Sequence, residues 1–263
     1  MQVNLTLKGK HAVICGASAG IGEAVARRMA AHGAKVTLIA RREERLTQLV
    51  QELKESGADK PAACAWDLDK REVLAASANE LVRTRGAVHI LVNNTGGPPP
   101  GPILEATPED FALGMGRHLF ASQILVQAFL PGMIEAGYGR ILNVISTSVR
   151  EPIPNLGVSN TVRGAMASWS KTLAGELPPG ITINNLLPGL TDTERLDALR
   201  TAIAQKRGSS EDAVQDDWMS GVPEGRLARP EELAGAAVFL ASEAGAYIRG
   251  VNLPIDGGRL HAI

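Results

Sequence analysis

Three hydroxyl side chains, Ser146, Thr147 and Ser148, close the apolar run RILNVI at 140–145. Further on, Ser159 and Arg163 stand at i and i+4 of a helical pattern, so their side chains share one face. A hydroxyl at the mouth of a buried strand can donate to a carbonyl oxygen. A guanidinium beside it can hold hydroxyls or anions, but it does not titrate at working pH. These are parts of an active site without an evident proton donor.

A second group lies near the N-terminus. CGASAGIGEAV places Gly16, Gly20 and Gly22 between an apolar run and a helical pattern. Glycines are needed where backbone must turn tightly and approach a pyrophosphate with no Cβ in the way. The helix start behind them offers unpaired N–H groups to that anion. A glycine pattern alone is weak, and its position after the first strand and before the first helix is what gives it weight.

The end of the second apolar run indicates which dinucleotide. NAD sites place a carboxylate there to hold the ribose 2′-hydroxyl. Here the run ends Ala40-Arg41-Arg42, with no carboxylate before Glu43. A cationic pair at that point suits a 2′-phosphate, through charge-assisted contacts worth roughly 1.5–3 kcal/mol, or about 10- to 100-fold in preference for NADP. A solvated helix start is the weaker explanation, because helix N-termini favour acidic residues.

These residues need a scaffold that brings strand ends together. The runs HAVIC (11–15), KVTLIA (35–40), PAACAW (61–66), HILVNN (89–94), RILNVI (140–145), ITINNLL (181–187) and GVNLPI (250–255) read as strands covered on both faces. Between them run helical patterns at 22–33, 43–57 and 71–86, each ending on a glycine. Such alternation with short connections predicts a doubly wound α/β domain with a parallel sheet over 1–263. Residues 190–228 are polar and too long for a turn, and read as a helical lid beyond the carboxyl ends of the strands.

Bulk properties exclude some classes. A net charge of −1 gives no electrostatic reason to expect nucleic acid or an anionic membrane. No run spans a bilayer, and MQVNLTLKGKHAV lacks a signal peptide's apolar core, so a cytoplasmic protein is expected. Cys15 and Cys64 sit in apolar strands and read as buried thiols, not a disulfide or metal site.

Taken in order, GASAGIG (16–22), WDLDK (66–70), NNTGG (93–97), GRILNVIS (139–146), NNLLPGLTDT (184–193) and IDGG (255–258) resemble the short-chain dehydrogenase/reductase family, most of all its 3-oxoacyl-carrier-protein reductases. The resemblance implies a Rossmann-like sheet of seven strands in the order 3-2-1-4-5-6-7. It implies that Gly16, Ser18, Gly20, Ile21 and Gly22 form the pyrophosphate turn, and that Asp67 and Leu68 flank the adenine. Asn93 and Gly96 would lie along the cofactor, with Pro188, Gly189 and Thr193 at its nicotinamide end. The family's usual basic residue in the glycine loop is Ala19 here, which leaves the NADP(H) preference to Arg41 and Arg42. A homotetramer, or a homodimer, is implied as well.

The catalytic positions depart from the family's Asn–Ser–Tyr–Lys set. Only Ser146 matches. Ungapped counting puts Ser159 at the tyrosine, Arg163 at the lysine and His118 at the asparagine, while the tyrosines are Tyr138 and Tyr247. An aliphatic hydroxyl near water's ~15.7 lies about five units above a phenol, a gap of roughly 7 kcal/mol, so Ser159 is a poor general acid. Arg163 keeps the charge that would hold the nicotinamide ribose but cannot relay protons. His118, near ~6.5 unperturbed, is a candidate replacement donor, or else a histidine satisfied by a backbone carbonyl.

Three functions stay open. The first is an NADP(H)-dependent oxidoreductase acting on a carbonyl or alcohol, with Ser146 orienting the substrate oxygen, Arg163 holding the ribose, and His118 or water giving the proton. The second is a nucleotide-binding member that has lost hydride transfer and acts as a sensor or subunit. The third is a dehydration or elimination in the same pocket. Few charges lie near the rim NNTGGPPPGPIL (93–104), so an apolar or neutral substrate is expected over a polyanion.

Overall fold

His11–Cys15 (β1) shows why its run is apolar along its length. Ala12 and Ile14 point into one core, which also holds Val36 and Leu38, while Val13 and Cys15 point into a second core on the other side of the sheet. Alternation between two buried faces leaves no polar position after His11, as a doubly covered strand requires. The computed structural model describes residues 3–262, so Met1, Gln2 and Ile263 of the expected 1–263 domain lie outside the described residues.

β1 is followed by Lys35–Ala40 (β2), Ala62–Ala65 (β3), Ile90–Asn93 (β4), Gly139–Val144 (β5), Ile181–Pro188 (β6) and Asn252–Ile255 (β7). All pair in parallel, in the order β3-β2-β1-β4-β5-β6-β7. The order is the one expected, and several strand ends shift by one or two residues, as ends do. Cys15 is fully buried and its thiol is pushed up to about 12 by burial. Cys64 is a correction: it lies on the edge strand β3 and is only half-buried.

Helices Gly20–Ala31 (α1), Glu43–Glu55 (α2) and Pro230–Ala241 (α9) line the first core. The second is covered by Arg71–Arg85 (α3) and Ala121–Glu135 (α5), with Trp169 and Leu173 of Gly157–Glu176 (α6) packed against it. Pro108–Met115 (α4) runs into α5 through a π-helical turn, Gly116–Phe120, which carries His118. A π-turn inside a helical run re-aims one side chain and is frequent at functional sites.

A row of asparagines ties four strands together beneath the carboxyl ends. Asn93 Nδ2 donates to Asn143 Oδ1 at 2.8 Å, Asn143 Nδ2 to Asn185 Oδ1 at 2.8 Å, and Asn185 Nδ2 to Asn252 Oδ1 at 2.7 Å. The four are register partners across β4, β5, β6 and β7, so parallel pairing alone places them side by side. The polar 190–228 segment folds into Glu194–Arg207 (α7) and Glu211–Ser220 (α8), each capped by a hydroxyl, Thr193 and Ser210.

Candidate active site

The glycine turn after β1 is built for close approach. Gly16 has φ +62°, and a Cβ there would stand 2.5 Å from the Asn94 carbonyl oxygen. A Cβ on Gly22 would stand 2.2 Å from the Gly16 oxygen, so only glycine lets the first turn of α1 close onto the loop. Asn94 Nδ2 braces the turn from the neighbouring strand, donating to the Cys15 and Gly16 carbonyls at 3.3 and 3.4 Å. Gly20 faces Thr193 Cγ2 at 3.0 Å from where its Cβ would be, which brings the start of α7 against the start of α1.

Two cavities open on either side of this turn. One, of about 310 Å³, is lined by Gly16, Ser18, Arg41, Arg42, Asp67, Leu68 and Gly96, together with Trp66. Arg42 is partly committed: its Nε and Nη2 donate to the Ser18 hydroxyl and carbonyl at 3.2 and 2.9 Å, and Nη1 lies 3.6 Å from Glu194. The floor is held by Arg117, whose Nε and Nη2 donate to Asp69 at 2.9 and 2.5 Å and keep that carboxyl below its usual range.

The other, of about 550 Å³, gathers Ile21, Ser146, Ser159, Arg163, Pro188, Gly189 and Thr193. Asn94, Thr95 and Arg117 line both cavities, so the two form one cleft across the strand ends. Ser146 Oγ accepts from the Ser148 N–H at 3.0 Å, which fixes the hydroxyl at the chamber wall. Ser159 and Arg163 are both buried on one face of α6. Arg163 Nη1 donates to the Val144 carbonyl at 2.9 Å and Nη2 to the Thr95 carbonyl at 3.5 Å, while its Nε has no partner. Burial, and then the charge of Arg195, push this guanidinium down to about 10, where it still stays charged at neutral pH.

Two expected residues lie elsewhere. Asn93 is buried inside the asparagine row and is not on the cleft wall, and its neighbour Asn94 takes the cleft position. His118 lines an adjoining cavity of about 210 Å³ under the proline run, which shares Pro98, Pro99, Pro100 and Arg117 with the larger chamber. Its Nδ1 is hydrogen-bonded to the Thr95 hydroxyl. Burial, with the charges of Arg163, Arg117 and Arg195, pushes its pKa down to about 2. Near neutrality it is therefore a neutral imidazole, able to donate through one ring N–H but a poor general acid. The alternative donors fare no better, since the Tyr138 hydroxyl is spent on the Ala241 carbonyl and Tyr247 is fully exposed.

The expectation of few charges is also corrected. Arg117, Arg163 and Arg195 line the larger chamber, and no Asp or Glu does. Arg195 was signalled in the sequence by a cation in the first turn of a helix, where the dipole disfavours one. Asn94 and Thr95 had no signal beyond the motif that contains them.

The glycine cradle, the α1 N-terminus and a buried guanidinium whose Nε has no partner together fit a dinucleotide with its two ends in the two cavities. Comparison with known proteins agrees. The family described as enoyl-(acyl carrier protein) reductase matches residues 16–259. The 2,3-dihydroxy-2,3-dihydro-p-cumate dehydrogenase of Pseudomonas putida is 31% identical over 258 residues, covering 97% of this chain and 95% of that one. L-sorbose reductase from Gluconobacter frateurii, solved with NADPH and L-sorbose, superposes with a TM-score of 0.93 at 31% identity over 99% and 100% of the two chains. A gluconate 5-dehydrogenase from Burkholderia cenocepacia, solved with NADP and tartrate, gives a TM-score of 0.88 at 30% identity over 99% and 98%. The chain belongs to the short-chain dehydrogenase/reductase family.

Proposed function

We propose that this chain is an NADP(H)-dependent oxidoreductase that interconverts a carbonyl and an alcohol with non-standard catalytic residues. The observation that carries this is the shared cleft: one cavity ends on Arg41 and Arg42, the other on Ser146, Ser159 and Arg163. The glycine turn lies between them. Support for the phosphate form comes from the arginines at the end of β2 and from relatives solved with NADP or NADPH. The cofactor supplies or accepts hydride.

The chain's own residues then have limited tasks. Ser146 donates to the substrate oxygen and fixes its position. Arg163 presents a permanent charge beside that position, which stabilises negative charge developing on oxygen in a partly water-excluded site. Neither side chain titrates usefully, so the proton comes from water through the Ser146 or Ser159 hydroxyl. α7 over the chamber and α8 over the adjoining cavity act as a lid, and the exposed Leu113, Phe120 and Ile134 support self-association as a homotetramer or homodimer.

A second function has its own support. The phenol of the family's set is missing and His118 is neutral, which favours a nucleotide-binding member without hydride transfer. Calorimetric titration with NADPH and NADH tests the binding half, with tighter NADPH expected and no binding of either overturning it. Loss of carbonyl turnover in Ser146→Ala tests the chemical half. NADPH binding with no turnover of any carbonyl would leave the second function.

A further inference from the structure

Arg195 and Arg163 converge on one point of the larger chamber. A Cβ on Gly97 would stand 2.8 Å from Arg195 Nη2 and 3.4 Å from Arg163 Nη2. Arg117, the third cation of the wall, is neutralised by Asp69. The other two are not. Arg163 is 7% exposed and meets only carbonyl oxygens. Arg195 donates to the Gly97 and Pro98 carbonyls at 3.2 and 3.4 Å, long contacts to neutral acceptors. Among the described residues neither has a carboxylate within ion-pair distance, because Glu194 faces Arg42 and Asp197 faces Arg200 at 3.0 Å.

Such a pair is unfavourable by itself. Like charges at close range in a half-buried site repel, and a buried guanidinium without a counter-charge is costly. Arg195 is further disfavoured by its place in the first turn of α7. Helix stability and core packing give no reason for a cation there, whereas an anion seated between the two guanidiniums would relieve both. A guanidinium fork matches a carboxylate or a phosphate, and the walls around it decide between them.

The rest of the wall narrows the ligand. Pro99, Leu156, Leu199 and Ala202 make it apolar beyond the arginines. It also continues, through Leu156 and Leu199, into a cavity of about 630 Å³ that reaches Trp218. A highly charged polyanion has no use for such walls, and a hydrocarbon body does.

We propose that the chamber recognises a carboxylate-bearing substrate, its carboxylate held by Arg195 beside Arg163 and its apolar body lying against Leu156 and Leu199. This substrate class rests on the carbonyl–alcohol function above. The cofactor's phosphates offer the same charge, so the test separates the two sources.

Hexanoate and its neutral counterpart hexanamide are titrated calorimetrically into the full chain at fixed ionic strength, with and without saturating NADPH. Hexanoate is expected to bind at least about tenfold more tightly than hexanamide, and NADPH does not displace it. Arg195→Gln should weaken hexanoate about tenfold while moving NADPH less than about threefold, and Arg195→Lys, which keeps the charge but not the fork, should bind hexanoate more tightly than Arg195→Gln and less tightly than the unaltered chain. Equal binding of the two probes, binding of neither, or an Arg195→Gln loss confined to NADPH overturns the proposal. If Arg195→Gln does not fold, the probe ratio and Arg195→Lys decide. Hexanoate binding that depends on Arg195 in a protein that ignores NADPH would uphold the carboxylate site and reject the cofactor assignment.

Discussion

The side-chain amide of Asn93 donates to the side-chain oxygen of Asn143 across β4 and β5, at 2.8 Å and out of reach of solvent. The row continues to Asn185 and Asn252, so each inner member gives one hydrogen bond and accepts one. Asn143→Ala would leave a donor at Asn93 and an acceptor at Asn185 buried and unmet. At about 1–3 kcal/mol for each orphaned group, urea unfolding should report a loss of roughly 2–6 kcal/mol. Asn93→Ala strands only the Asn143 oxygen and should cost about 1–3 kcal/mol, with NADPH affinity unchanged within about threefold. A large affinity loss in Asn93→Ala would restore that residue to the cofactor site.

The asparagine row depends on register, which no single run reveals. HILVNN, RILNVI, ITINNLL and GVNLPI each contain an asparagine in an apolar run, and each run reads as a strand with no indication of its register. Only strand pairing aligns Asn93, Asn143, Asn185 and Asn252 on one line. The strands, the glycine turn and the two ends of the cleft are legible because periodicity and glycine placement are local signals, whereas the strand order comes from the family resemblance. The position of His118 is not legible, since a π-turn and three arginines from distant segments decide its surroundings.

Gly22 carries the closest approach in the turn, 2.2 Å between an added Cβ and the Gly16 oxygen. Both sides are backbone, so no rotamer change relieves the clash. Gly22→Ala should push α1 away from the loop, cost about 1–3 kcal/mol in thermal unfolding, and weaken NADPH about tenfold or more. Wild-type affinity in Gly22→Ala would mean that the turn is not the phosphate cradle.

Arg41 and Arg42 bound the smaller cavity, and Arg42 already grips Ser18 of the glycine loop. Removing both charges with Arg41→Ala/Arg42→Ala should cut the preference for NADPH over NADH by about 10- to 100-fold, chiefly through weaker NADPH. Arg41→Ala alone should give most of that change if Arg42 stays committed to Ser18. Calorimetry with both nucleotides reads the ratio directly.

Acid should unfold this protein through its histidines before its carboxylates. His11 is pushed down to about 4, by burial first and then by the charges of Lys35 and Arg85, and it is bonded to the Thr37 hydroxyl at 2.8 Å. His118 is pushed down to about 2. Unfolded, both would titrate near ~6.5, so below that pH the unfolded chain binds more protons than the folded one. Stability is therefore full above pH ~6.5 and falls as pH drops toward 4. Each histidine accounts for about 2 kcal/mol between pH 7.5 and pH 5. His11→Gln should flatten the fall by about that amount in urea titrations at the two pH values. An unchanged pH slope in His11→Gln would mean that His11 is not buried neutral.

Ser159 and Arg163 face the same chamber from one side of α6, and the chamber's 550 Å³ leaves room for a phenol at position 159. Ser159→Tyr/Arg163→Lys would place a titratable donor beside Ser146, with an ammonium next to it to lower the phenol's pKa. A positioned general acid typically contributes 10²–10⁴-fold, so NADPH-dependent reduction of pyruvate and longer 2-oxo acids should rise at least about a hundredfold over wild type. Ser159→Tyr alone should rise less. The unaltered Arg163 offers charge but, unlike an ammonium, cannot take part in a proton relay. The readout is nicotinamide absorbance at saturating NADPH, with binding checked separately so that a lost cofactor is not mistaken for lost chemistry. No gain in the double variant, with NADPH bound, would mean that the missing phenol does not limit the reaction and that proton delivery from water already suffices.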